Sequence, residues 1–246
     1  MTTKMHRLLV HQAGTILAQL HQLTKNFIPD GYKYNGFKTD GITLWRDTDW
    51  HLGVLKGYLE IIKQREVSDK GHIYLLNIAS ELQRDITELG SYFEKPFDQF
   101  PRLVIHGDYA PHNLLFYGKQ LISILDFGDA CLNLRAIDVA RGLTTLSRNI
   151  PAYTGRFHLD SSLAKAFLQA YQDQQPGQLL SVEEIKSVPD LIRWRLIQPF
   201  IWRLNRSLAR SEVSIFNYSA LKSKMKQARW LKDNRRDLQA FLATLI

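Results

Sequence analysis

Three polar side chains stand at fixed spacing among apolar, strand-like runs in residues 103–129. Asp108 lies two residues after His106, and Asn113 comes five residues after Asp108. Asp126 opens an Asp-Phe-Gly triplet thirteen residues after Asn113. Carboxylate and amide oxygens bind hard cations such as Mg2+, and a carboxylate within hydrogen-bond distance of a hydroxyl can accept its proton. These residue types could therefore hold a metal ion and a base around one hydroxyl group.

The order and spacing of these residues match those of kinases that transfer a phosphoryl group to a hydroxyl. Such transfer depends on positioning and charge neutralisation more than on covalent help. In that arrangement Asp108 is the base, Asn113 offers an amide oxygen to the metal, and Asp126 bridges the metal to the phosphates. Asp, Asn and Gly are also common turn residues, so it is the joint order of the motifs that makes the pattern specific.

A β-hairpin is predicted to bring the two metal-binding candidates together. Residues 114–117 and 121–125 are apolar, strand-like runs. Gly118 begins the turn between them, where a positive φ would be needed. An antiparallel pair of this length returns Asp126 to the level of Asn113.

The motifs resemble those of the aminoglycoside phosphotransferase and choline kinase superfamily, the small-molecule relatives of protein kinases. His-Gly-Asp-x-x-x-x-Asn at 106–113 is similar to its catalytic loop, and Ile-Leu-Asp-Phe-Gly at 124–128 to its metal-binding strand end. Asp-Val-Ala at 138–140 resembles a segment whose aspartate braces the catalytic loop from a helix. The resemblance implies a protein-kinase-like fold, Mg2+ as cofactor, ATP as co-substrate and a small-molecule hydroxyl as acceptor.

The resemblance also implies a role for each matching residue. Asp108 is predicted to be catalytic, and Asn113 and Asp126 are predicted to hold the metal. His106 and Asp138 are predicted to support the loop structurally.

Two neighbouring residues carry weaker expectations, and the nucleotide-binding residues are not identified. We expect His112 to be a loop residue near the metal site with no direct role. Asp129 is expected to be a turn residue, with a contact to the outer ligands of the metal as the alternative. No Gly-x-Gly-x-x-Gly loop and no Val-Ala-x-Lys strand is found in the sequence.

Apolar periodicity and proline placement predict a predominantly helical α+β fold around this small β-hairpin core. Residues 104–105 form a third strand-like run before His106, and residues 28–48 are a predicted loop with a short strand near 42–45. Pro189 and Pro199 are expected to interrupt or kink the long helix that contains them. Helices are predicted over 6–25, 49–66, 72–93, 134–148, 161–174, 182–210 and 217–245.

The resemblance makes the chain a single lobe, equivalent to the C-terminal lobe of such kinases. We divide it into a helical entry region (1–102), a catalytic and metal-binding core (103–129) and a helical substrate-side region (130–246). The family's N-terminal lobe carries a phosphate-covering loop and a lysine for the α- and β-phosphates, and it precedes the helix that begins here almost at Met1.

We therefore expect the N-terminal ATP-binding lobe to be absent. Lys4, Lys33 and Lys38 do not lie in a strand of the required kind. Three explanations stay open: a truncated form of a longer kinase, a second lobe supplied by a partner chain, or a non-catalytic descendant.

Composition excludes several other classes of protein. Of the 246 residues, 45% are hydrophobic, which indicates a globular chain, and no apolar run is long enough to span a bilayer. Cys131 is the only cysteine, so no intrachain disulfide can form and a cytoplasmic location is expected. The net charge of +8 comes from residues 190–246, which contain 12 Lys or Arg and 4 Asp or Glu. We interpret these charges as solvated helix faces rather than as a nucleic-acid site, because no recognition motif accompanies them.

The leading hypothesis is an ATP- and Mg2+-dependent phosphotransferase acting on a small-molecule hydroxyl, inactive if the chain lacks a lobe. The alternative is a non-catalytic interaction protein of kinase fold, or one lobe of a two-chain assembly. Amino alcohols, aminoglycosides, sugars and homoserine are all acceptors in the family. The basic C-terminal segment argues against cationic aminoglycosides.

Overall fold

The computed structural model describes residues 3–27, 47–65, 69–94, 99–148, 157–174, 180–210 and 217–245. The predicted loop at 28–48 falls outside this part of the chain except for its last two residues, so its predicted strand and Lys33 and Lys38 are not described. The described residues form eight α-helices and four short β-strands. In chain order they are α1 (Thr3–Thr24), α2 (Thr48–Gln64), α3 (Lys70–Glu94), β1 (Arg102–Ile105), β2 (Leu114–Tyr117), β3 (Gln120–Ile124), β4 (Cys131–Leu134), α4 (Arg135–Leu146), α5 (Ser161–Asp173), α6 (Val182–Ala209), α7 (Tyr218–Asp233) and α8 (Arg235–Ala243). The predicted fold class, a predominantly helical α+β lobe with a small β-hairpin core, is confirmed.

The strands form two antiparallel pairs that frame the motif region. β2 and β3 make the predicted hairpin, with Leu114 opposite Ile124. Gly118 has φ +59° at its turn, as predicted for a left-handed position. The second pair joins β1 to β4, with Ile105 opposite Cys131. β4 was not predicted, because four residues with a single polar member, Asn133, give too short a pattern to distinguish a strand from a loop.

Helix α1 is tied to the motif region through side chains that bond to backbone groups. The Gln12 amide donates to the carbonyl of Lys119 at 2.8 Å and accepts from the N–H of Leu121 at 2.8 Å. One side chain therefore bonds to two backbone groups at the hairpin turn. The Tyr109 hydroxyl donates to the carbonyl of Ala13 at 2.7 Å. The predicted first helix therefore positions both the catalytic loop and the hairpin.

Ion pairs of two buried arginines join α6 to α3 and to α4. Arg193 of α6, which is 1% exposed, lies 2.5 Å from Asp85 and 2.9 Å from Glu88 of α3. Arg135 of α4 makes two parallel bonds of 2.9 Å to Glu184 of α6. Removing one partner would leave a buried charge uncompensated, so these pairs fix how the helices are arranged.

Two helices differ in detail from their predictions. α6 is one continuous helix with Pro189 and Pro199 inside it, so the prolines do not interrupt it, and the alternative, a kink, stays a prediction. The predicted single helix over 217–245 is divided into α7 and α8 at Asn234, where φ is −105° and ψ is 18°. The Asn234 side chain donates to the carbonyl of Trp230 at 2.9 Å, and such local bonds compete with the helical pattern.

The hydrophobic core runs through all three predicted segments of the chain. One contiguous cluster of buried side chains includes Leu17 of α1, Leu103 of β1, Leu114 of β2 and Trp194 of α6. The segment boundaries themselves stay a prediction. Within the described residues, no helix has the length and apolar character needed to cross a membrane.

Two glycines in helices provide a matched test of the α1–α5 contact. A Cβ at Gly14 would lie 2.3 Å from the carbonyl oxygen of Phe167, whereas a Cβ at Gly53 would meet nothing within 4 Å. Replacing Gly by Ala in an exposed helix stabilises by about 1 kcal/mol, and forced overpacking costs roughly 1–3 kcal/mol. We expect Gly53→Ala to raise and Gly14→Ala to lower the free energy of unfolding measured with urea. Equal shifts in the same direction would contradict the close approach.

Candidate active site

The catalytic loop is anchored by the carboxylate of Asp138, which is fully buried in the first turn of α4. It accepts the N–H of His106 at 2.7 Å and the N–H of Gly107 at 2.9 Å, one on each oxygen. His21 of α1 lies 3.3 Å from the same group and contacts the Tyr171 hydroxyl at 2.7 Å. The predicted brace therefore contacts the loop directly, through backbone donors.

Gly107 explains why this loop needs a residue without a side chain. Its φ is +82°, and a Cβ there would lie 2.2 Å from the carbonyl oxygen of Asp129. Both the left-handed backbone and the close approach exclude other residues without strain. The glycine thus lets the catalytic loop pass against the turn that follows the Asp-Phe-Gly triplet.

His106 connects the catalytic loop to the end of β3 and is fully buried. Its Nδ1 accepts the N–H of Asp108 at 3.2 Å, which leaves Nε2 to donate to the carbonyl of Leu125 at 2.8 Å. The imidazole therefore links the backbone at Asp108 to the residue before Asp126. Both ring nitrogens bond to backbone groups, as expected for a side chain with a structural role.

The hairpin brings the two predicted metal ligands to one end of the strands. The carbonyl of Asn113 accepts the N–H of Leu125 at 2.8 Å, one residue before Asp126. The Asn113 side chain uses its amide nitrogen on Asp108, at 2.9 Å from the backbone oxygen. Among the described residues no donor bonds to its amide oxygen, which is the atom a metal would need.

Asp126 has a backbone conformation that is rare for its residue type. It is the only non-glycine residue with positive φ in the described chain, with φ 58° and ψ 74°. Strained positions of this kind cluster at functional sites. Its exposed carboxylate accepts only the N–H of Gly128 within the described residues, at 3.3 Å. No set of three His, Cys, Asp or Glu side chains suited to a metal occurs in that part of the chain, so a metal here would take one carboxylate, one amide and other oxygens.

Asp108 is held by two arginines that the motif analysis did not identify. Its Oδ1 lies 2.9 Å from Arg141 of α4 and 3.0 Å from Arg195 of α6. Its Oδ2 lies 3.1 Å from His112, to which the sequence analysis assigned no direct role. Arg141 follows Asp138 by three residues, about one helical turn, and that spacing is the signal that could have identified it. Arg195 lies 87 residues from Asp108, and no local pattern predicts it.

These cations set the charge state of Asp108. Burial alone would raise the pKa of its carboxyl group, but the charges of Arg141 and Arg195 and the hydrogen bonds from His112 and Arg141 together lower the pKa below its usual range. The side chain is 21% exposed. Asp108 is therefore an anion at neutral pH.

A cavity of about 900 Å³ opens beside this carboxylate, between β4, α4, α6 and α7. Asp129 is at its edge, in the short turn Phe127–Asp129 after the triplet, where a turn residue was expected. Cys131 also lines it, and burial raises the pKa of this thiol to about 11, so it is protonated and a poor nucleophile at neutral pH. The other lining side chains are mostly apolar, together with four cations and the neutral polar residues Asn133, Thr144, Gln198 and Asn205. Lys4, which was considered as the lysine for the α- and β-phosphates of the nucleotide, lies in helix α1 and not in a strand.

Comparison with known proteins assigns the family. The model of the phosphotransferase enzyme family, abbreviated APH, matches residues 6–180, more than half of the chain. The chain belongs to the phosphotransferase enzyme family. This confirms the predicted resemblance, and the match begins in α1 and includes the catalytic loop, the hairpin and Asp138.

Individual relatives of this phosphotransferase-family chain have low sequence identity to it. A homoserine kinase of Mesorhizobium japonicum is 32% identical over 128 residues, which are 52% of this chain and 36% of that protein. An aminoglycoside phosphotransferase structure from Alicyclobacillus acidocaldarius aligns with TM-score 0.56 and 23% identity, covering 96% of this chain and 64% of the other. An ethanolamine kinase structure from Plasmodium vivax aligns with TM-score 0.56 and 15% identity over 92% of this chain and 60% of the other. These structures share the fold, and the chain spans about a third of the length of the homoserine kinase.

The two arginines on Asp108 lead to a prediction about its titration. In Arg195→Gln or Arg141→Gln, burial is opposed by one cation fewer, so the pKa of Asp108 should rise towards or above its ordinary value. A 13C NMR titration of the aspartate carboxyl groups measures this. Arg203→Gln removes the same charge from α6 outside the cavity lining and should leave the Asp108 pKa nearly unchanged. An Asp108 pKa that is the same in all three variants would contradict the ion-pair geometry.

Proposed function

We propose that this chain carries the catalytic and metal-binding part of an ATP- and Mg2+-dependent phosphotransferase that acts on a hydroxyl group of a small molecule. One observation carries the proposal. The hairpin places Asn113 and Asp126 at one end, and the Asn113 side chain bonds to Asp108, so base and metal ligands form one continuous group. The relatives named above, which include kinases for homoserine and ethanolamine, support the same reaction class.

The donor set supports a Mg2+ site. Asp126 offers an exposed carboxylate, and the amide oxygen of Asn113 has no donor among the described residues. Mg2+ is bound by one or two carboxylates together with phosphates and water. When bound, it would neutralise negative charge on the phosphates. The strained backbone of Asp126 would then hold its carboxylate in a fixed direction.

Asp108 would orient the attacking hydroxyl and receive its proton. The acceptor oxygen forms a bond to the γ-phosphorus, the bond from that phosphorus to the bridging oxygen breaks, and ADP leaves with the bonding electrons. Because the two arginines lower the pKa of Asp108, it is a weak base in the ground state. A loose transition state needs little proton removal before bond cleavage, so orientation would be its larger contribution.

An interaction protein of kinase fold is the second candidate, and one surface supports it. Apolar side chains on and after the hairpin are exposed: Leu115, Tyr117, Ile122, Leu125 and Phe127 are 42–78% exposed. Leu125 and Phe127 flank Asp126 in the sequence, and the other three lie on the hairpin strands. A partner chain that packs on these side chains would be the interaction partner in this second proposal.

Loss of the Asp108 carboxylate should abolish most turnover. We expect Asp108→Asn to lower kcat by about two to four decades, the range for loss of a general base, in a coupled assay of ADP release. Asp173→Asn makes the same change at an exposed position at the end of α5 and should retain activity. Near-normal turnover by Asp108→Asn would contradict the assignment.

Calorimetric titration with Mg·ATP separates the two candidate functions. Binding by this chain that Asp126→Asn loses would support a working metal–nucleotide site, and binding should also weaken when Mg2+ is withdrawn with a chelator. If the folded chain binds no Mg·ATP, the motif residues lack a nucleotide and the interaction protein is favoured.

A further inference from the structure

The cavity beside Asp108 has a strong excess of positive charge. Among the described residues that line it, the cations are Arg141, Arg195, Arg206 and Lys224, and the only carboxylate is Asp129. Asp108 adds a second carboxylate through its pairs with the first two arginines. Four cations therefore face two carboxylates.

Neutralising Asp108 does not account for all four cations. Arg141 and Arg195 contact its carboxylate, and one carboxylate with two arginines already leaves a positive charge. Arg206 and Lys224 form no ion pair with any residue in the described part of the chain. They nevertheless line the same cavity, so their charge is available to something that enters it.

The periodicity of α6 places these groups along one face. Arg195, Pro199, Trp202 and Arg206 follow one another at spacings of four, three and four residues, which keeps them on a single side of a helix. All four line the cavity. Another face of α6 is buried in the core and carries Trp194, Ile197 and Ile201.

Lys224, which lines the cavity, lies near other positive charges. Lys224 of α7 is exposed to solvent, yet the pKa of its ammonium is lowered by crowding protein atoms first and then by the charges of Arg203, Arg141 and Arg195. Like charges held together raise the energy of the free protein. A bound anion would relieve that repulsion.

Most of the remaining lining is apolar and two of its members are tryptophans, while Asn133, Thr144, Gln198 and Asn205 add neutral polar groups. Trp50 of α2 and Trp202 of α6 have ring centroids 5.1 Å apart and tilted by 50°, and both line the cavity with Ile137 and Leu191. Such side chains favour a ligand with an apolar body, and the few polar groups around it set its orientation.

We propose that the acceptor of this phosphotransferase carries an anionic group, a carboxylate or phosphate, held by Arg195, Arg206 and Lys224 while its apolar part packs on Trp50 and Trp202. This inference rests on the proposed function, because it assigns the cavity to the acceptor. It excludes polycationic acceptors, whose amines would face the same cations. It also gives a purpose to part of the basic C-terminal segment, which the sequence analysis interpreted as solvated helix faces.

Three aromatic alcohols of matched shape test the charge preference. 4-(Hydroxymethyl)benzoate, 4-(hydroxymethyl)benzamide and 4-(hydroxymethyl)benzylamine share a ring and a hydroxyl, and at neutral pH they are an anion, a neutral molecule and a cation. Calorimetric or ligand-detected NMR titrations of the 246-residue chain give the three dissociation constants. We expect the carboxylate to bind about tenfold more tightly than the amide, since exposed ion pairs are each worth up to roughly 1 kcal/mol. The amine should bind most weakly, and the preference should fall with added salt.

Paired variants locate the preference in the cavity. Arg206→Gln with Lys224→Gln should reduce the preference for the carboxylate several-fold. Lys222→Gln with Lys226→Gln removes the same net charge through exposed lysines of α7 that do not line the cavity, and it should leave the preference intact. The inference is overturned by equal or tighter binding of the amine, by a preference that survives the cavity double variant, or by no saturable binding of any of the three compounds.

A phosphotransfer assay of the same compounds with Mg·ATP keeps this inference separate from the proposed function. A carboxylate preference without phosphate transfer would preserve the anion site and count against the kinase proposal. Transfer to the amine with no preference for the carboxylate would preserve the kinase proposal and overturn the anion site.

Discussion

One buried carboxylate fixes the geometry of this site. Asp138 has no access to water, and a buried carboxyl group is stable only when its oxygens have hydrogen-bond partners. Two of its contacts are backbone N–H groups of the catalytic loop and a third is His21 of α1. The loop that carries Asp108 is therefore determined by α4 and α1 together, before any ligand is present.

The same loop then sets the orientation of the hairpin end that carries Asn113 and Asp126. His106 joins the backbone at Asp108 to that at Leu125, and Gly107 allows the turn after Asp126 to approach the loop closely. Local strain at Asp126 is tolerated because the hairpin and the loop over-determine its position. The carboxylate of Asp108 is paired with one arginine from α4 and one from α6.

Sequence predicted the parts of this arrangement that depend on local chemistry. The hairpin followed from two apolar runs and a turn glycine, and the helices followed from apolar periodicity. The role proposed for Asp138 came from family resemblance rather than from any pattern in the residues. Arg195 could not be predicted, because its contact with Asp108 depends on how α6 packs, which is set by buried pairs such as Arg193 with Asp85. β4 and the break at Asn234 were missed because a four-residue strand and one side-chain bond to the backbone leave too little signal in the sequence.

Residues on the two faces of helix α6 are under different constraints. The residues that face the core, such as Trp194 and Ile201, are held by packing density. The residues that face the cavity, such as the exposed Arg206, are not constrained by core packing. Substitutions on the cavity face can accumulate with little effect on folding, so under the proposed function a lineage built on this scaffold could change its acceptor while the loop at 106–113 stays the same.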